Sequence, residues 1–313
     1  LLKAVKIQKN ICKIQLFYRI ILAEMAESTT FVMLFKISDR VMERKSRKIK
    51  MGMMAGFIAL LSSFMLSSYE LPVAQADAPG LEIPVIQKKA ANGKAANGKA
   101  SATIKHRFAY TVSYNHDTRQ PNWVAWTLTR AHASGKLKRG DFEDDMDMPS
   151  PKGTKADYFN TGFDRGHMCP AGDNKWSQKA MDECFLMTNM CPQTHALNAG
   201  VWNSIEQQCR TWAKKYGKVY IVCGPIFLNK QHRKLGKNKV VVPDAFFKVI
   251  LRTGKNPQAI GFICRNQSAK GLQKKDFVNS IDEVERITGY DFFSKLPDNV
   301  EKKIEAKADL SNW

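Results

Sequence analysis

The sequence has 313 residues, and its 49 Lys and Arg against 29 Asp and Glu give a formal net charge of +20. The excess is not confined to the N-terminal part, because residues 101–313 alone hold 33 basic and 22 acidic residues. Such a surface suits a polyanionic partner by neutralising phosphates and steering their approach. It also favours solubility, so charge alone excludes neither use.

Residues 42–76 have the pattern of a secretory signal peptide. A basic segment at 44–50 precedes an apolar run at 51–66, and Ala74-Gln75-Ala76 offers a small-residue cleavage site. The apolar run has 16 residues, fewer than the roughly 20 that a membrane span needs. We therefore predict cleavage, no stable membrane insertion afterwards, and an exported protein that is periplasmic or extracellular.

Other segments are predicted to lie outside the folded domain. Residues 1–41 do not begin with Met, whereas Met42 begins a plausible precursor, so we interpret them as an upstream extension without a structural role. Residues 77–102 contain Ala-Ala-Asn-Gly-Lys twice in tandem and have little apolar surface to bury. They are predicted to be a flexible tether. One domain is then expected at 103–297, followed by a C-terminal tail at 298–313.

The predicted domain opens with an antiparallel hairpin. Residues 108–114 alternate large and small side chains, and residues 123–128 follow a turn at Gln120-Pro121-Asn122. Further strands are predicted at 219–223, ended by Gly224-Pro225, and at 246–251 and 259–264.

Two periodic segments predict helices. The first has an apolar residue at every third or fourth position, predicts about five turns and ends at Gly217. Its apolar residues are Trp202, Ile205, Cys209, Trp212 and Tyr216. The second covers 276–288, with an inner face of Phe277, Ile281, Val284 and Ile287. Strands flanked and interrupted by helices favour an α+β fold with a central, mostly antiparallel sheet.

Four sequence blocks follow one another in a fixed order. They are Asp164-Arg165-Gly166-His167-Met168-Cys169-Pro170-Ala171, residues 185–193, residues 197–202, and Val222-Cys223-Gly224-Pro225. Through these blocks, residues 104–297 resemble the DNA/RNA non-specific endonuclease family, which includes sugar-non-specific secreted nucleases and mitochondrial endonuclease G. The resemblance implies a ββα-metal (His-Me finger) catalytic motif within the fold.

His167 and Asn198 are the central candidate residues. An imidazole accepts a proton near neutral pH, since its ordinary pKa is about 6.5, and the resemblance makes His167 the base for the attacking water. A structural histidine is the alternative. Asn198 matches the principal protein ligand of a single Mg²⁺, for which Mn²⁺ is expected to substitute. A neutral amide oxygen leaves the metal most of its charge, and helix capping is the alternative use.

Further candidates come from the helix and the hairpin. Glu206 and Arg210 lie on one helical face, where the simplest interpretation is a surface ion pair; the resemblance instead implies that Glu206 orients a metal-bound water and Arg210 contacts phosphate. Arg165 matches an arginine that binds substrate or stabilises the pentacovalent charge, and its planar fork suits a phosphate. Asn189 matches an active-site asparagine expected to organise its neighbours, with a buried turn asparagine as the alternative.

Two assignments rest on less distinctive patterns. An arginine upstream of the histidine motif is expected to reach the scissile phosphate; Lys138 and Arg139 compete for this position, and we favour Arg139. The acidic run at 141–147 is interpreted as a solvated loop. Trp176, in a polar loop, is predicted to contact substrate, whereas core packing is expected for most of the other tryptophans.

Six of the seven cysteines follow the predicted signal peptide. In an exported protein an even number permits disulfides, and we predict at least one pair without choosing among the pairings. The rival is a zinc site of Cys169, Cys184, Cys191 and His195, although their spacing lacks the paired Cys-x-x-Cys of common zinc sites.

Together these observations predict an exported, Mg²⁺-dependent endonuclease. It is expected to hydrolyse DNA and RNA with little sequence specificity, leaving 5′-phosphate and 3′-hydroxyl ends. The alternative is a catalytically inactive, exported nucleic-acid-binding protein on the same fold. Monomer and homodimer are both left open.

Overall fold

The computed structural model of the protein describes residues 80–86 and 102–313. The predicted upstream extension, the signal peptide and most of the tether lie outside the described residues, so export stays a prediction. Within the described ranges, no helix combines the length and the apolar character needed to cross a bilayer.

The described chain alternates strands with short helices. The strands are β1 (Val85–Ile86), β2 (Ala102–His106), β3 (Thr111–Asn115), β4 (Gln120–Thr129), β5 (Asp164–His167), β6 (Met190–Gln193), β7 (Lys218–Ile226), β8 (Lys234–Leu235), β9 (Val240–Val241), β10 (Ala245–Arg252), β11 (Gln258–Arg265), β12 (Val278–Asn279) and β13 (Tyr290–Asp291). The helices are α1 (Gln178–Cys184), α2 (Asn203–Tyr216), α3 (Ile281–Thr288) and α4 (Asp298–Glu305).

Among the described residues, seven strands form the central sheet in the order β12-β11-β10-β7-β4-β3-β2. Every neighbouring pair runs antiparallel. This confirms the predicted α+β class with a largely antiparallel sheet. Successive side chains of a strand point to opposite faces of the sheet. The mainly apolar runs of β7 and β10 therefore place apolar side chains on both faces.

The two faces of the sheet carry separate cores. On one face, Phe246 and Ile250 of β10 pack with Trp202 and Trp212 from the helical segment. On the other face, Phe247, Val249 and Leu251 of β10 pack with side chains of α3 and α4. The candidate catalytic blocks all lie on the first face.

Two predicted turns are wrong, because the residues lie within strands. Gln120-Pro121-Asn122 opens β4, and the chain turns before it, at residues 116–119. Pro121 is accommodated there by a register shift opposite Ser113 and Tyr114, as expected for proline at a bulge. Gly224 and Pro225 continue β7. A Cβ on Gly224 would come within 2.4 Å of the Asn122 carbonyl oxygen, so the glycine permits close contact of β7 with β4.

The predicted helices are present but shorter. Helix α2 covers 14 residues and is preceded by a π-helical turn at Asn198–Trp202. The second predicted helix is confined to α3, which begins after the Ser280 cap. Phe277 lies in a separate 3₁₀ turn at Lys274–Phe277. The apolar period therefore located both helices but overestimated their lengths.

Chain segments predicted to lie outside the domain pack against it. Leu81, from the predicted tether, is 1 % exposed and belongs to the second core, while β1 pairs with β13. Trp313, in the predicted tail, lies 4.4 Å from Trp212 between ring centroids. The described domain therefore extends beyond 103–297 in both directions.

The disulfide prediction is contradicted by the structure. The six cysteines of the described chain are all unpaired and buried: Cys169, Cys184, Cys191, Cys209, Cys223 and Cys264. Burial raises the pKa of the thiols of Cys184, Cys209, Cys223 and Cys264 to about 12. They serve as small apolar core side chains.

Replacing Leu81 with Ala should lower the free energy of unfolding by about 2–4 kcal/mol, because a fully buried leucine would leave a cavity in the second core. Urea unfolding of the full chain measures the change. The matched control is Ile86→Ala in the same segment, where the side chain is 50 % exposed and little change is expected. Equal, small effects for both would contradict the anchoring of this segment.

Candidate active site

Strands β5 and β6 form an antiparallel hairpin that leads into α2. His167 pairs with Met190 and Gly166 with Cys191. A Cβ on Gly166 would come within 2.1 Å of the Gln193 side chain, so a larger residue here would displace the buried Gln193 side chain. After β6 the chain makes a helical turn at His195–Leu197, then the π turn, then α2. The Asp-Arg-Gly-His block and Asn198 thus lie on a ββα unit.

His167 is held by two aromatic rings. Its imidazole lies 4.7 Å from the Phe185 ring and 5.4 Å from the Phe142 ring, between centroids. Burial, and secondarily the charge of Arg139, lower the pKa of His167 to about 3. Its Nε2 is buried and has no hydrogen-bond partner in the described chain. The imidazole is therefore neutral at physiological pH, with one nitrogen uncommitted.

Two arginines gather around the same rings. The Arg165 guanidinium lies 4.5 Å from the centre of the Phe142 ring. Arg139 lies 4.9 Å from Phe185 and 5.8 Å from Phe142. Phe142 therefore contacts the histidine and both cations, a role that its position in an acidic run did not suggest. Stacking on a ring leaves the guanidinium edges available to phosphate oxygens.

Asn198 is oriented by Asp164, a residue of the histidine motif to which sequence reasoning gave no role. The Asn198 Nδ2 donates to the Asp164 carboxylate at 2.9 Å, and His195 Nδ1 lies 2.9 Å from the same oxygen. Asn198 is itself in helical conformation, and the N-cap of the preceding turn is Thr194. Asn198 is thus not a helix N-cap, and with its nitrogen engaged its amide oxygen is left without a hydrogen-bond partner in the described chain.

Glu206 and Arg210 share a helical face but do not pair. Arg210 Nη1 instead donates to the buried Asp173 at 2.9 Å, and Trp126 Nε1 donates to the other Asp173 oxygen at 3.1 Å. Within the described chain Glu206 has no hydrogen bond or ion pair. Burial is the largest cause that raises the pKa of Glu206 to about 7. The surface ion pair interpretation is therefore wrong.

Lys248 is a charged residue that sequence reasoning missed. It is fully buried in β10, with its Nζ 4.4 Å from the Trp202 ring and 5.1 Å from the Trp126 ring. Burial disfavours the ammonium, but nearby Cys223 and Glu206 outweigh this and raise the pKa of Lys248. The available signal was a lysine inside an otherwise apolar strand.

Asn189 and Trp176 are both engaged by neighbouring residues of the protein. The fully buried Asn189 side chain bonds to the backbone of Cys169, at 2.9 Å through both amide atoms, and to Cys184 O at 2.8 Å. It braces the segment after His167 and has no amide atom left for substrate. Trp176 stacks on His132 at 4.0 Å and Phe108 at 5.4 Å, and its contact with substrate stays a prediction.

The acidic run at 141–147 is also more than a solvated loop. Asp145 is buried, pairs with Arg107 and accepts a hydrogen bond from Thr188. Asp144 accepts from the backbone of Lys155 at 2.7 Å. These contacts fix the segment that carries Phe142 beside His167.

The zinc alternative is not supported in the described ranges. His195 is 79 % exposed at its side chain and bonds to Asp164. Cys184 Sγ donates to Met181 O at 3.1 Å. The predicted cysteine–histidine set is not among the described groups that converge closely enough to hold a metal.

Comparison with known proteins identifies this arrangement. The family described as DNA/RNA non-specific endonuclease matches residues 88–299. The chain belongs to that family. It is similar to mitochondrial endonuclease G of Homo sapiens, at 34 % identity over 210 residues, which cover 62 % of this chain and 71 % of the relative.

Two further relatives agree. Nuclease C1 of Cunninghamella echinulata var. echinulata is 37 % identical over 211 residues, covering 61 % of this chain and 82 % of the relative. EndoG in the crystal structure of its complex with EndoGI superposes with a TM-score of 0.60 and 29 % identity, covering 63 % of this chain and 88 % of that one. The protein is a nuclease, a phosphodiester hydrolase of a metal-dependent family, and its substrates are nucleic acids.

The Glu206 carboxylate should impose a pH dependence on stability when metal is chelated. Because its folded pKa of about 7 lies above its ordinary 4.5, the folded nuclease retains a proton that the unfolded chain releases. The contribution of Glu206 to the free energy of unfolding is complete below about pH 4.5. It decreases by about 2–3 kcal/mol as the pH rises to about 7.

Urea unfolding in EDTA from pH 5 to pH 8 tests this by comparing wild type with Glu206→Gln. The variant should gain stability relative to wild type as the pH rises. Glu143→Gln, whose carboxylate is exposed, is the matched control and should track wild type. A constant difference between wild type and Glu206→Gln across this range would contradict the burial argument.

Proposed function

We propose that the nuclease is a Mg²⁺-dependent endonuclease that cleaves both DNA and RNA with little sequence specificity. The ends produced are 5′-phosphate and 3′-hydroxyl. The observation that carries the proposal is the neutral His167 imidazole beside two guanidinium groups that lie over the same rings. A base next to fixed positive charge suits attack of water on a phosphodiester.

The residues present fit a hard divalent cation. The Asn198 amide oxygen is held in place through Asp164, and the Glu206 carboxylate is partly buried without a protein partner in the described chain. Neutral amide and carboxylate oxygens are ligands that Mg²⁺ accepts while it keeps several waters. Asn198 would bind the ion directly and Glu206 through a water, and Mn²⁺ is expected to substitute. Once bound, the ion supplies positive charge for a phosphate oxygen and the departing 3′ oxygen.

The chain's own residues divide the remaining work. His167 accepts the proton of the attacking water, and its low basicity in the free protein keeps it unprotonated before substrate arrives. Arg139 and Arg165 bind the phosphate and stabilise its growing negative charge. Arg210, which keeps one nitrogen on Asp173, adds a third guanidinium in a fixed orientation.

Weak sequence preference follows from the groups available. The candidate substrate contacts are guanidinium groups, which recognise phosphate and carry no direct base information. The tryptophan proposed to stack on bases is packed against His132 and Phe108. Net positive charge over residues 101–313 then makes binding dependent on salt.

Replacing His167 with Ala should lower kcat by at least about a hundredfold on supercoiled plasmid and on RNA, because the base is lost. The assay uses each polymer with Mg²⁺ or with excess EDTA, and product ends are assigned by phosphatase treatment and ligation. The matched control is His106→Ala, an exposed histidine on β2, which should retain wild-type turnover. Substantial activity in folded His167→Ala would remove the base from this mechanism. Metal-independent binding by wild type without any products would favour the inactive binding protein.

Arg139 and Lys138 are neighbours in sequence, but only Arg139 is found over the rings that hold His167. Arg139→Ala should reduce kcat/KM by about 10- to 100-fold, since a phosphate contact strengthened in the transition state would be lost. Lys138→Ala should change it by less than about threefold at moderate salt. The reverse order of effects would assign the phosphate contact to Lys138.

A further inference from the structure

We propose that Asp282, Glu285 and Glu305 form a second cation site, distinct from the catalytic centre, that binds Ca²⁺. The first two residues belong to α3 and the third ends α4. Both helices pack on the face of the sheet opposite the histidine hairpin. The three residues are called the acidic pocket below.

The side chains of the acidic pocket converge. One carboxylate oxygen from each residue lies within 4.8 Å of the others. Asp282 and Glu285 are three positions apart on α3, so their side chains lie on one side of the helix. Glu305 approaches them from the end of α4. Like charges at this separation repel unless a cation or a proton lies between them.

A second observation concerns Glu305 alone. This residue is 4 % exposed, and its Oε1 is buried without a hydrogen-bond partner in the described chain. Buried carboxylates are rare, and those that occur are paired, hydrogen-bonded or bound to metal. The Glu305 side chain also supplies one of the three carboxylate oxygens that converge, so a cation bound there would give this buried carboxylate a partner.

The surroundings strengthen the negative potential. Burial is the largest cause that raises the pKa of Glu305 to about 10, followed by the carboxylates of Glu285, Glu301, Asp282 and Asp291. Glu285 also has a raised pKa, of about 7, chiefly from burial. A divalent ion in the pocket would offset these negative charges.

The donor set selects the class of ion. Three carboxylates without histidine or cysteine favour a hard cation. Mg²⁺ is usually held by one or two carboxylates, whereas Ca²⁺ accepts a larger set of carboxylate oxygens in a flexible geometry. Asp282 is exposed, so water has access to complete the six to eight ligands that Ca²⁺ takes. Bound Ca²⁺ would join α3 to α4 and stabilise the second core.

Calcium binding to the full chain tests the proposal, with isothermal titration and thermal unfolding at pH 8 after removal of metals. The catalytic site is disabled by Asn198→Ala, so that binding there does not obscure the result. We expect about one Ca²⁺ per chain and a rise in Tm of several degrees in this background. Mg²⁺ at the same concentration should give a clearly smaller rise.

Adding Glu305→Gln should weaken Ca²⁺ binding at least tenfold and abolish the rise in Tm. Glu283→Gln, a carboxylate of α3 that pairs with Arg286 outside the pocket, is the matched control and should bind within about threefold. Because glutamine matches the shape of the buried carboxyl group and cannot ionise, the metal-free Tm of Glu305→Gln should equal or exceed that of its parent, which separates lost binding from failure to fold. Absence of saturable binding, or unchanged binding in folded Glu305→Gln, would overturn the proposal.

Discussion

The buried carboxylate of Asp173 is the contact on which the geometry of the catalytic face depends. It receives Arg210 from α2 and the indole of Trp126 from β4, and the Lys248 ammonium lies against that indole and against Trp202. One carboxylate and two cations thus join the central strands to the helix that carries Glu206. Since a buried charge that loses its partner is strongly destabilising, these residues are mutually dependent. Their arrangement fixes the direction of the Arg210 guanidinium before any substrate binds.

The sequence was sufficient to locate helices and strands whose apolar residues recur at a regular spacing or form an uninterrupted run. The apolar spacing from Trp202 to Tyr216 located α2, and the apolar runs at 246–251 and 259–264 located β10 and β11. Proline and glycine led to the wrong prediction of a turn at 120–122 and of a strand end at 224–225. There the partners across the sheet, Tyr114 for Pro121 and Asn122 for Gly224, decide the conformation. A single sequence gives no information on such cross-strand neighbours, so tertiary contacts overrode the turn propensity.

The candidate site likewise contains residues that the sequence predicted and residues that it did not. The motif residues His167, Asn198 and Arg165 were found from sequence, because their order along the chain is distinctive. Asp164 and Asp173 received no role, since each acts on a partner more than thirty residues away. The packing of Trp176 was not predicted, because a polar loop does not reveal that His132 and Phe108 will stack on it. Positions that perform chemistry were therefore easier to predict than positions that hold them in place.

The six unpaired cysteines of the described domain have a consequence for how the nuclease tolerates its surroundings. A thiol must ionise and be reachable before it can exchange with a disulfide or be oxidised. These thiols are buried, and burial raises their pKa values. Neither glutathione nor a disulfide-forming oxidase should find a reactive sulfur on the folded domain. Once folded, the domain can therefore persist without regard to the redox state of the compartment in which it is placed.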